Sequence, residues 1–300
     1  MPLNTTRLSL PNQAAGSKDM TTHLATAPAG KVTLWGVLRS EAIRFFALNS
    51  TRILIAVAFV VYLGIAAIAT WGVGSLNNSD MAGMGEVQGM EMMTDPNMAA
   101  QLIGSGLVFS QLILGVLGVL LFSGEFTTGS AVSTFLASPQ RFRVLAAKTI
   151  LITLLTGIVQ IAATLAAFAL CKPISDAYNL GLEFGSESFQ KVLWFGALAV
   201  IMAALIGLAL GVLLRNSAGG ITSLAGLFFV LPIIVALLTA FTDWAQYVAK
   251  FMPDQLGIGL ATPASVSTDL EQWQQLLGVA GWIVLPLALG AVLLAKRDIK

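Results

Sequence analysis

Few residues in this chain could do chemistry. Glu125 stands at the end of one long apolar run, and Arg141, Arg143 and Lys148 precede the next. One carboxylate and three cations on a polar loop offer electrostatic contact to another surface. They do not offer a general base, and His23, the one histidine, lies in a polar N-terminal tail where it is simply solvated. A second cluster is soft rather than charged. Met81, Met84, Met90, Met92, Met93 and Met98 crowd one loop with acidic neighbours. Thioethers suit Cu(I), but methionines also cover hydrophobic mouths, and both readings stay open. Cys171 is the single cysteine, so a disulfide within the chain and a multi-cysteine metal site are excluded.

Catalytic signatures are missing. Gly30-Lys31 is followed by Val32, so no phosphate-binding G-x-x-x-x-G-K-[ST] loop forms, and neither H-E-x-x-H nor G-x-S-x-G occurs. The chain is therefore expected not to be an enzyme and to carry no cofactor of its own.

The elements that position these residues are hydrophobic. The 300 residues are 56% hydrophobic and 10% charged, with a mean hydropathy of +0.84. Soluble domains carry roughly a quarter charged residues, so the fold class is an all-α membrane protein. Six uncharged runs, at about 53–73, 101–122, 149–170, 192–214, 220–241 and 276–295, are each long enough to cross a hydrocarbon core of roughly 30 Å. Residues 1–30 have no apolar stretch and read as a disordered cytoplasmic tail, not a signal peptide. Residues 31–50 form an interfacial amphipathic helix: Leu34, Leu38, Ala42 and Phe45 share a face flanked by Trp35 and Phe46, while Arg39, Ser40 and Arg44 lie away from it. Residues 51–300 form the six-helix domain.

Of the 16 lysines and arginines, only Lys172, Lys191 and Lys250 fall on the side opposite both termini. That bias places the termini and the loop Ser123–Lys148 in the cytoplasm; the expected location is the plasma membrane. Within this loop Val132, Phe135 and Leu136 stand at helical spacing, and Ser138-Pro139 ends the pattern, predicting a short cytoplasmic helix.

The predicted spans contain no Asp, Glu, Lys or Arg, which argues against an ion-coupled pump and leaves energy to come from another polypeptide. Uncharged polar residues do sit there. Gln111, Thr156 and Gln160, with Ser110, Thr153 and Thr164, either line a path or hydrogen-bond between helices. Gly207 and Gly211, with Gly115 and Gly118, allow close helix approach, within the chain or in a dimer.

Four stretches resemble permeases of the type-2 exporter class of ABC transporters: L-R-S-E-A-I-R-F before the first span; S-G-E-F-T-T-G-S with S-P-Q-R-F-R-V-L-A-A-K after the second; L-G-V-L-L-R-N-S-A-G-G between the fourth and fifth; and the closing A-K-R-D. The resemblance implies six transmembrane helices, an interfacial helix, a cytoplasmic coupling helix between spans 2 and 3, and a short outer helical element within 253–271. It implies a separate ATP-binding subunit that holds ATP and Mg, and a second permease as homodimer or heterodimer partner. It assigns ATPase coupling to Glu125, Phe126, Gly129, Val132, Phe135, Leu136, Arg141 and Arg143. The lipid bilayer is a partner and nucleic acid is not. The rival readings are a non-transporting scaffold or assembly factor, and an ion-coupled secondary transporter.

Overall fold

The computed structural model describes residues 33–78, 96–127, 129, 141–261 and 270–296. Helix α1 spans Leu34–Ala47 and α2 spans Asn49–Asn78; α3 (Pro96–Gly104) and α4 (Leu107–Thr127) follow. Helices α5 (Arg141–Ala177) and α6 (Glu187–Leu214) are long and nearly continuous. Then come α7 (Ser217–Ala225), a π-helical turn (Gly226–Val230) and α8 (Leu231–Thr239). Two short helices, α9 (Asp243–Lys250) and α10 (Pro253–Ala261), lead to α11 (Gln272–Lys296).

Six stretches are long and apolar enough to cross a membrane: Asn49–Leu76, Asn97–Thr127, Phe142–Ala177, Glu187–Leu214, Ser217–Thr239 and Gln272–Lys296. The chain is a multi-pass membrane protein by this architecture.

The bundle is built around α6, the most buried span. Its glycines are the reason α4 can lie against it. A methyl group on Gly207 would sit 2.1 Å from the Gly115 carbonyl oxygen, and one on Gly118 would sit 2.0 Å from that of Ala204. Backbone meets backbone here, so the small residues serve packing within the chain.

The fifth span is one helix in the sequence pattern and three segments in the structure. Pro232 stands at the start of α8. Its ring lacks an N–H and crowds the carbonyl four residues back, at Phe228, which lies inside the π turn. The wider π turn accommodates that mismatch. Between the fourth and fifth spans the chain reverses in two residues. Arg215 takes the left-handed conformation (φ 52°) and its N–H bonds Gly211 O, while the Asn216 side chain accepts from Gly219 N.

Candidate functional site: a buried ion cluster joining α1, α4 and α5

Val37, Glu41 and Phe45 recur at i, i+4 and i+8 on α1, and all three are buried. The buried face is therefore turned from the expected stripe: Leu38 and Ala42 only pack at its margin, and Trp35 and Arg39 are exposed. What turns it is a charge. Lys148, in the second turn of α5, points its ammonium at α1 and α4. It donates to Glu41 Oε2 at 2.5 Å, to Glu125 Oε1 at 2.6 Å and to the Leu121 carbonyl at 3.3 Å. These three bonds use all the donors an ammonium has. Arg44 adds a bond of 2.9 Å to the same Glu125 oxygen from the rim, where its side chain is 38% exposed.

This arrangement corrects the expectation of charge-free spans. The second apolar run does not end at Phe122, nor does the third begin at Thr149: α4 continues to Thr127 and α5 starts at Arg141, carrying Glu125 and Lys148 into helices. Burying either ion alone would be costly, and mutual pairing with α1 as the third wall makes it tolerable. Glu41 was legible as a polar residue of α1 but not as a buried one, because its partner lies 107 positions away.

Phe126 belongs to the last turn of α4, not to a separate helix. Gly129 follows in a turn with φ of 70°, a conformation glycine adopts without steric cost. The turn after α6 packs on this helix end. Ser217 shares hydrogen bonds with Ser123 (3.0 Å) and Thr127 (3.1 Å), and the Arg215 guanidinium lies 5.2 Å from the Phe126 ring centre. Two stretches set apart in the sequence are thus neighbours. Arg143 is exposed on the first turn of α5, where Arg141 begins the helix. Val132, Phe135 and Leu136, like Met81, Met84, Met90, Met92 and Met93, lie outside the described residues; Met98 is half-buried on α3.

The polar residues of the spans divide into two groups. On the α2–α5 seam, Tyr62 and Thr164 share a hydrogen bond of 3.2 Å, and Gln160 Nε2 donates to Thr164. Thr156 bonds its own helix at Ile152 O. Gln111 stands apart, about 21 Å along α4 from Glu125 at helical rise. It is fully buried, neither amide atom has a hydrogen-bond partner, and α10 presses on it: a methyl on Gly257 would sit 2.5 Å from its Nε2. Asp254, one turn earlier on α10, is buried too, and that burial pushes its carboxyl above the usual range.

Among the described residues no group of three or more His, Cys, Asp or Glu could hold a metal ion. Comparison with protein-family models and with curated proteins finds no match to this chain.

Proposed function

We propose that this chain is the membrane-spanning permease subunit of an ATP-driven exporter of the type-2 ABC class, working with a separate ATP-binding subunit and a second permease. The reading follows the four stretches that resemble that class. One observation carries it furthest: the Glu41–Lys148–Glu125–Arg44 cluster ties α1 to the two helix ends that flank residues 128–140.

In this reading residues 128–140 dock on the ATPase, with Val132, Phe135 and Leu136 as the apolar contact. Both termini and this segment face the cytoplasm, and the membrane is the plasma membrane. Closure of the ATPase moves the segment. Glu125 and Lys148 transmit that motion to α4 and α5, because separating them would leave buried charges unpaired. The turn at Arg215 and Ser217 rides on the same helix end and passes the motion on to the fifth span.

The test is a mild-detergent isolation of the chain from its native membrane, with identification of what co-elutes and an ATPase assay on the eluate. The proposal expects an ATP-binding subunit that is lost on Phe135→Asp or Leu136→Asp. Intact protein without ATPase activity would overturn it in favour of a scaffold or a secondary transporter, which flux in ion-energised vesicles then separates.

A further inference from the structure

The side of α1 opposite Glu41 is uncovered. At about 100° per residue, Trp35, Arg39, Ile43 and Phe46 fall within about 80° of one another, facing away from Glu41. Trp35 is 74% exposed, Ile43 63% and Phe46 44%. The buried Phe45 ring meets Phe46 edge-on, with 5.8 Å between ring centres, and steadies it in that position. Along the chain the strip runs on through exposed Leu48 to Ile53, Val57 and Val60, which are exposed on the first span.

The ion cluster sets the depth of this strip. Glu41 and the Leu121 carbonyl share the Lys148 ammonium. Leu121 lies about 9 Å inside the end of α4 at Thr127. Helix α1 therefore flanks the span ends, at the level where headgroups meet acyl chains.

Charge narrows what covers the strip. The Arg39 guanidinium, in its middle, has no partner among the described residues. Exposed Arg52 donates Nε to the Phe46 carbonyl at 2.9 Å, and its other guanidinium donors stay available. No exposed acid among the described residues answers these two cations. Glu41 and Glu125 are buried in the ion cluster, and every other described acid, from Asp176 to Glu271, stands at the opposite ends of the spans. A second copy meeting this face with its own would set Arg39 against Arg39. An anionic leaflet instead offers hydrocarbon to the aromatic and aliphatic residues, and phosphates to guanidinium groups that are weakly hydrated and match their geometry.

We propose that the exposed face of α1 binds anionic phospholipid, with Trp35, Ile43 and Phe46 among the acyl chains and Arg39 and Arg52 on the phosphates. The lipid surface does not depend on the permease reading.

The delipidated full-length chain is offered equal amounts of phosphatidylglycerol and phosphatidylcholine in detergent, and retained lipid is counted by native mass spectrometry. Phosphatidylglycerol is expected to be held about tenfold more tightly. Arg39→Gln combined with Arg52→Gln removes the preference, and Arg39→Lys combined with Arg52→Lys keeps part of it. Lys296→Gln is the control, because Lys296 is an exposed cation at the same end of the spans but on α11, and it leaves the preference unchanged. Size-exclusion fluorescence verifies that each variant is folded. Equal retention of the two lipids by the unmodified chain, an undiminished preference in the folded double glutamine variant, or an equal loss on Lys296→Gln would each overturn the proposal. So would a polypeptide, co-isolated from the native membrane, that Arg39→Gln releases while the lipid preference persists, since a protein would then cover this face.

Discussion

Lys148 Nζ lies 2.5 Å from Glu41 Oε2, and this contact joins α1 to the bundle across 107 sequence positions. Both side chains are nearly inaccessible, at 1% and 7% exposure, so neither charge can be hydrated in place of its partner. Removing one member of such a pair strands the other.

Lys148→Met is accordingly expected to cost about 3–5 kcal/mol. Adding Glu41→Gln to Lys148→Met should restore part of the loss, since one stranded carboxylate is then neutral. Thermal unfolding in detergent, followed by size-exclusion fluorescence, measures both variants. Equal additive losses would show that the pair is not coupled.

Glu125 accepts from Lys148 and from Arg44. Glu125→Gln keeps the shape and removes the charge, and hydrogen bonds to charged groups contribute roughly 1.5–3 kcal/mol. Under the permease proposal, transport in reconstituted vesicles falls at least about tenfold, from roughly 1.4 kcal/mol, while membrane insertion stays normal. Unchanged flux would remove Glu125 from the coupling path.

The backbone contact between α4 and α6 makes a second kind of prediction. Gly118→Ala or Gly207→Ala drives a methyl into a carbonyl, and overpacking of this sort costs about 1–3 kcal/mol. Gly64→Ala meets open space on α2 and should be neutral or stabilising by about 0.5–1 kcal/mol. Unfolding midpoints of the three variants should therefore move in opposite directions.

Burial raises the Asp254 carboxyl above its ordinary 3.8, and the hydrogen bonds from Gln255 only partly offset this. The folded chain then holds a proton that the unfolded chain has released. Stability from this group is fully present below the ordinary value and is lost as pH rises through the folded one. Asp254→Asn removes the titration, so its unfolding midpoint should gain on that of the unmodified chain as pH rises. A pH-independent difference between the two would contradict this.

The α2–α5 seam should matter less. Tyr62→Phe removes the hydroxyl that meets Thr164, and interhelical hydrogen bonds in membrane bundles average about 0.6 kcal/mol. A midpoint shift of that small order is expected.

The sequence by itself determined the six crossings, because hydropathy is local and bilayer thickness sets the length each apolar run needs. It also determined α1 as a separate helix and the tight reversal at Arg215 and Asn216, where polar residues interrupt two apolar runs. Only the tertiary structure decided which face of α1 is buried, since Glu41 carries no local mark of a partner on α5. Likewise the glycines of α4 and α6 are legible as small residues, but that they face each other depends on helix rotation, which hydropathy alone does not specify in spans apolar all round. Gln111 reads as one polar residue in an apolar run, and its burial under α10 follows from where the chain returns between the fifth and sixth spans. Pairings between distant positions leave no periodicity in either partner, and so they become visible only when the helices are assembled.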